Sequence, residues 1–386
     1  MWLRLVRDVR RSRSRNRLGE ASDLDRRSAI GQRKAVEVTL TPEQRSVYVN
    51  ESPAVPILDI SEYLNPATKG RFVESLRNAC HHVGFLYLTG HGVDDDLNTR
   101  VSNVSRDFFS RPESVKREIA MVKSPHFRGY TPVGGEVTGG RADVREEVDL
   151  GPERPVAEDA DHPWRCLQGP NQWPESVPEF EPTMTRWADE MDRLGRILLD
   201  ALAEGLGIDA EHFRNWVTPD PEATIKAVRY PAPVAGQQPQ GVGTHRDFGL
   251  LTFVLQDAVG GLQVEHADGH YMEVPCLPGS FVVNLGEMLQ VATHGYYKAT
   301  VHRVVSPPAG VERFSTIYFF NPRLDATLDP VVLPTDLADS ARGGASDDPA
   351  NPILSTYGEN ILKVRLRAHP DVAEQHHRDL IDTTIR

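Results

Sequence analysis

His245-Arg246-Asp247, with His302 far down the chain, constrains this sequence more than any other feature. Side chains alternate faces along a strand, so His245 and Asp247 fall on one side if the segment is extended. A second imidazole from a neighbouring strand would complete three ligands on one face of a metal ion. Two histidines and one carboxylate so placed leave the opposite face of an octahedral Fe(II) open to reactants. With 14 histidines in the chain the H-x-D triplet is weak by itself, so its meaning depends on what surrounds it.

The 386 residues carry a formal charge of -12, which argues against a nucleic-acid binder with a basic face. No apolar run reaches the length of a transmembrane helix. Cys80, Cys166 and Cys276 lie far apart and form no CxxC pattern. They fit a reducing, cytoplasmic setting. The expected partner is a small-molecule substrate, with neither nucleic acid nor membrane, for a monomer or weak homo-oligomer. Residues 1–52 open with MWLRLVRDVRRSRSRNR and read as a basic, disordered extension.

Four regions follow from the patterning. After residues 1–52 come residues 53–222, with helices and short strands, residues 223–325, a run of strands, and residues 326–386, a loop, a helix and a polar tail. Val55–Ser61 reads as a strand, and a helix then runs to about His82 with Phe72, Leu76 and Ala79/Cys80 at helical spacing. A buried strand lies between Gly84 and Gly90, and Asp94 or Asp95 caps a helix ending before Arg111-Pro112. Residues 124–176 read as one long loop. Trp187, Met191, Leu194, Leu198 and Leu202 mark a helix over 183–205. Seven strands are then expected: TIKAVRY, LLTFVLQ, GLQVEH, HYMEVP, SFVVNL, VHRVVS and FSTIYFF. Helices followed by such a run predict a mainly β protein with α elements, a jelly-roll core buttressed by helices.

Arg313 and Ser315 share one face of the FSTIYFF strand region. A guanidinium and a hydroxyl together make a carboxylate receptor. These motifs resemble a known family. H-R-D-F-G-L-L-T, G-G-L-Q-V, P-G-S-F-V-V-N-L-G-E-M-L-Q, H-R-V and R-F-S are similar to the isopenicillin N synthase-like branch of Fe(II)/2-oxoglutarate oxygenases. V-P-I-L-D-I, G-F-L-Y-L-T-G-H-G-V and R-G-Y fit the same family, so the resemblance spans roughly residues 53–370. It implies a distorted double-stranded β-helix, cupin-like, with Fe(II) on His245, Asp247 and His302. It also implies 2-oxoglutarate as cosubstrate held by Arg313 and Ser315, with O2 as oxidant. The reaction implied is hydroxylation, desaturation or cyclisation of a small polar metabolite, coupled to release of succinate and CO2. Isopenicillin N synthase itself uses R-x-S for its peptide substrate and needs no keto acid. A 2-oxoglutarate-independent oxidase therefore remains an alternative, as does a silent small-molecule binding protein.

Further candidates surround this set. Arg229 and Tyr230, in an R-Y-P segment, are candidates for the cosubstrate or for a substrate carboxylate; Tyr230 equally suits a core aromatic. Gly135–Thr138 resembles the loop with which the bacterial ethylene-forming enzyme binds arginine. That resemblance makes Glu136, Thr138, Phe248 and Arg367 substrate candidates, although Phe248 and Ala368 depart from its pattern. Residues 124–150, with the clustered charges Glu136, Asp143, Arg145, Glu146 and Asp149, and the segment Tyr357–Arg367 are expected to close over the iron as a lid. Asn284 and Gln290 are candidates to hydrogen-bond near the metal.

Overall fold

The structure is a computed structural model, and it describes residues 55–158, 161–236, 239–343 and 352–384. In chain order its strands are β1 (Ile57–Asp59), β2 (Phe85–Thr89), β3 (Gly129–Thr131), β4 (Val137–Thr138), β5 (Arg141–Ala142), β6 (Glu146–Leu150) and β7 (Thr224–Tyr230). They continue as β8 (Gln240–His245), β9 (Leu251–Gln256), β10 (Leu262–Glu265), β11 (Tyr271–Glu273), β12 (Phe281–Leu285), β13 (His302–Val305) and β14 (Arg313–Phe320). One sheet has the order β1-β2-β12-β9-β14-β7-β6-β3, and a second the order β11-β10-β13-β8. Consecutive strands such as β8 and β9 sit in different sheets, the winding of a jelly roll. The expected double-stranded β-helix is therefore present, and the seven expected strands all form.

Alternation sorts the side chains into two cores. Val228, Tyr230, Val242, Val254, Leu262, Val264, Val282 and Val304 fill the space between the sheets. The outer face of the large sheet packs on helices. The Phe180–Gly205 helix buries Phe180, Met184, Trp187, Met191, Leu194, Leu198 and Leu202, a stripe spaced three and four residues apart. Trp187 meets Phe281 and Tyr318 edge-on at ring separations of 6.4 and 6.1 Å. Each such side chain contributes about 1.5–3 kcal/mol of burial. The Asp95–Ser110 helix begins at the expected cap, where the Asp94 carboxylate accepts from the Asp96 amide at 2.9 Å.

Two expectations need correction. Residues 124–176 are not one loop, because β3 and β6 extend the large sheet beyond β7 and β4–β5 form a hairpin. In β6, Glu146, Val148 and Leu150 face outward while Glu147 and Asp149 point between the sheets. Carboxylates on the inner face hid the strand pattern. The polar tail is also folded: helices Pro370–His376 and Arg378–Thr384 follow Tyr357–Ala368. His376 and His377 hydrogen-bond the carbonyls of Val122 and Pro125, and the His377 ring stacks on Phe127.

A buried ion pair ties β3 to the approach to β7. Arg128 donates to Glu222 at 3.1 Å, and Arg154 donates to the other carboxylate oxygen at 2.6 Å. Glu222→Ala is expected to destabilise the fold by about 3–5 kcal/mol, because Arg128 stays buried without its acid. Chemical denaturation checks this, and a loss under about 1 kcal/mol would mean that Arg128 needs no counter-charge.

Candidate metal centre

β8 ends at His245, directly opposite His302 on β13. This register brings the two imidazole rings to 4.2 Å between centroids. Asp247 lies two residues beyond the strand end, where the amide of Glu287 donates to its carbonyl at 2.8 Å. The close approach of these segments depends on Gly286, where a Cβ would collide with the backbone of Gly249. Each histidine commits its Nδ1 to a backbone carbonyl, His245 to Gly243 at 2.8 Å and His302 to Thr300 at 3.1 Å. That fixes the tautomer and leaves both Nε2 lone pairs for a ligand. The Nε2 atoms stand 3.5 and 3.7 Å from Asp247 Oδ1.

Two nitrogens and one carboxylate oxygen converging from a rigid β-scaffold fit Fe(II). The two imidazoles differ: burial works to lower the His245 pKa, but Asp247 and the Gly243 carbonyl outweigh it and raise it above the ordinary value. Burial lowers the His302 pKa to about 4, and the neighbouring His245 acts in the same direction, so the ring is neutral near pH 7. Burial works to raise the Asp247 pKa, but His302, His245 and Asn284 outweigh it and hold the carboxylate ionised. A second cluster, Glu136, Glu147 and His369, also has metal-compatible spacing. It already holds cations, since Lys226 and Arg145 contact both acids. Asp247 Oδ1, by contrast, faces the two imidazoles, and Asp247 pairs with no Lys or Arg among the described residues.

From β14, Arg313, Ser315, Ile317 and Phe319 line the same pocket as His245, Asp247 and His302. Arg313 is 1% exposed. Its Nη1 lies 3.4 Å from Ser315 Oγ and its Nη2 3.5 Å from Gln256 Oε1, while Nε has no hydrogen-bond partner among the described residues. The guanidinium also sits 4.7 Å from the Tyr230 ring centroid. Arg128, Arg145 and Arg365 are buried as well, and each of them meets an acid: Glu222, Glu136 and Asp149 respectively. Arg313 meets none among the described residues. A buried guanidinium in that state is suited to an anionic ligand.

Tyr230 faces this pocket as well, but Arg229 does not. Lys226, Val228 and Tyr230 point between the sheets, and alternation sends Arg229 to the outer face, where it pairs with Glu146 and Glu312. The expected cosubstrate role of Arg229 is thus corrected. Arg367 is exposed, whereas Arg365 on the same helix reaches inward to Asp149 at 2.6 Å. Phe248 stacks 6.4 Å from Tyr357 in the cluster under the C-terminal helices. Thr138 donates to Asp143 at 2.7 Å. Glu136 is half of a charged wall. It pairs with Arg145 and Lys226, which line the pocket. Lys226 contacts Glu147 at 2.7 Å and Asp149 at 3.2 Å. Burial raises the Glu147 pKa well above the carboxylate range, against the pull of Arg145. Sequence reasoning placed Arg145 only among the charges of a lid, and it missed Lys226, Arg365, His369 and Gln256. Lys226 had a signal, because it shares a strand face with Tyr230.

Comparison with known proteins agrees with this geometry. A model of the N-terminal region of non-haem dioxygenases in morphine synthesis matches residues 55–176, and one of the 2OG-Fe(II) oxygenase superfamily matches residues 221–322. A 2-oxoglutarate-dependent dioxygenase from Dothideomycetidae sp. (strain 11243) is 34% identical, over 83% of this chain and 91% of that protein. A homoarginine-6-hydroxylase from Arabidopsis thaliana is 32% identical, over 80% of this chain and 96% of its own length. Among solved structures, a putative 2OG-Fe(II) oxygenase from Caulobacter crescentus has a TM-score of 0.66 at 26% identity, covering 81% and 99% of the two chains. A full-length Neurospora crassa protein in complex with alpha-KG and thymine has a TM-score of 0.65 at 26% identity, covering 81% and 96%. No helix among the described residues is long and apolar enough to cross a membrane. The chain belongs to the isopenicillin N synthase-like Fe(II)/2-oxoglutarate oxygenases and is a dioxygenase that uses Fe(II), 2-oxoglutarate and O2.

Proposed function

We propose that His245, Asp247 and His302 hold the iron, that Arg313, Ser315 and Tyr230 receive the distal carboxylate of 2-oxoglutarate, and that the substrate is a small charged metabolite of amino-acid type. Iron supplies the redox chemistry that couples O2 reduction to decarboxylation of the keto acid and oxidation of the substrate. The chain's own residues bind, orient and exclude water. The observation that carries the substrate class is the charged wall. Arg145 and Lys226 line the pocket beside the iron ligands, backed by Glu136, Glu147 and Asp149. An apolar substrate would desolvate that wall without replacing its hydrogen bonds, whereas a group carrying charges of its own can exchange them. The homoarginine-6-hydroxylase among the relatives supports an amino-acid-like molecule and hydroxylation as the outcome. The C-terminal helix backs the charged wall, because Arg365 binds Asp149 and the buried His369 lies near Glu136.

The test is incubation with Fe(II), 2-oxoglutarate and a panel of amino acids and their derivatives, with products read by mass spectrometry. Lys226→Ala and Glu136→Gln are expected to raise the KM of the accepted substrate roughly tenfold, the scale of one charge-assisted hydrogen bond, with iron binding unchanged. Arg229→Ala is expected to leave that KM at its wild-type value, since its guanidinium faces away from the pocket. If only apolar molecules are oxidised, or if both wall variants keep wild-type affinity, the substrate lies elsewhere.

A further inference from the structure

Asp247 Oδ2 is held by two side chains from the large sheet. Thr252 Oγ1 donates to it at 2.6 Å and Asn284 Nδ2 at 2.7 Å. An ionised carboxylate only accepts, so both groups must donate, which also fixes the orientation of the Asn284 amide. Thr252 and Asn284 are directly opposed across β9 and β12. They are 3% and 2% exposed. The clamp therefore comes from the large sheet, while His245 and His302 come from the small one. Oδ1 is left as the oxygen that faces the two imidazoles.

We infer that Thr252 and Asn284 are positioning residues that restrict Asp247 to binding the metal through one oxygen, and so keep open a coordination position that the keto acid needs. The inference rests on the iron reading above. A carboxylate free to turn can bind a cation through both oxygens. Here that rotation would strip Oδ2 of two hydrogen bonds and leave a buried hydroxyl and a buried amide without acceptors. The clamp thus favours three protein donor atoms over four.

The experiment compares wild type, Thr252→Val, Asn284→Leu, the double variant and Thr252→Ser, each checked for folding by its melting curve. Calorimetry with Mn(II) on metal-free protein reads metal affinity. Anaerobic titration of 2-oxoglutarate at saturating Fe(II), followed by the visible absorption of the keto-acid chelate, reads cosubstrate affinity. Thr252→Val is nearly isosteric and guards against a double variant that fails to fold. Thr252→Val and the double variant are expected to bind metal but lose roughly tenfold or more in 2-oxoglutarate affinity, with a weakened chelate band; loss of a ligand's outer partner has effects of that size. Thr252→Ser restores both readouts. Unchanged cosubstrate affinity and band at saturating metal would overturn the inference, even if metal affinity fell, since a purely structural role predicts that pattern. Failure of wild type to bind Mn(II) or Fe(II) would instead overturn the iron reading itself.

Discussion

Asp247→Ala is expected to remove turnover, by on the order of 100-fold or more, while the protein stays folded. Loss of a ligand's outer hydrogen-bond partner alone costs about 10- to 100-fold in metal affinity or activity, and loss of the ligand should cost more. His245→Ala and His302→Ala should behave alike, because both Nε2 atoms converge on Asp247 Oδ1. The cost to the fold is small by comparison. Asp247→Ala leaves the Thr252 hydroxyl and the Asn284 amide without their acceptor, about 1–3 kcal/mol for such unmet groups. Metal content and turnover measured on the same preparations check the expectation. Full activity in any of the three variants would remove that residue from the metal site.

Arg313→Ala should weaken 2-oxoglutarate by roughly tenfold to a hundredfold, the equivalent of about 1.5–3 kcal/mol for a charge-assisted contact. The effect should be this large because Arg313 has no competing acid among the described residues, only Ser315 and Gln256 at long range and the face of Tyr230. Its binding strength is therefore held for a ligand. Ser315→Ala removes one neutral hydroxyl and should cost less. The readout is the KM for 2-oxoglutarate at saturating Fe(II). An Arg313→Ala enzyme with wild-type KM would move the cosubstrate carboxylate elsewhere.

Much of the small sheet and the centre of the large one was legible in the sequence. Strands such as SFVVNL and FSTIYFF are bounded by turns and rich in β-branched or aromatic residues, so local pattern and tertiary placement agree. The His245, Asp247 and His302 set was legible because its spacing needs a strand pair, and His302 does pair with His245. The Arg313 and Ser315 pair was legible by the same period of two. What stayed hidden depended on charges buried by one another. β6 reads as a polar segment because Glu147 and Asp149 turn inward, and they can do so only because Lys226, Arg145 and Arg365 meet them there. Arg229 and Arg367 were misjudged because the face that each occupies was not weighed. Alternation after Tyr230 already placed Arg229 outside. On the Tyr357–Ala368 helix, Leu362, Arg365 and Leu366, continued by His369 at its C-cap, form the inward stripe, which excludes Arg367.

The central claim is that this pocket couples oxidation of a small metabolite to decarboxylation of 2-oxoglutarate at an iron held by His245, Asp247 and His302. The most direct measurement loads metal-free protein anaerobically with Fe(II), 2-oxoglutarate and the accepted substrate, admits O2, and quantifies succinate and oxidised product together. The account predicts succinate and product in equal amounts from wild type, and neither from wild type without iron or from Asp247→Ala. Oxidised product formed without 2-oxoglutarate and without succinate, or formed undiminished by Asp247→Ala, would contradict it.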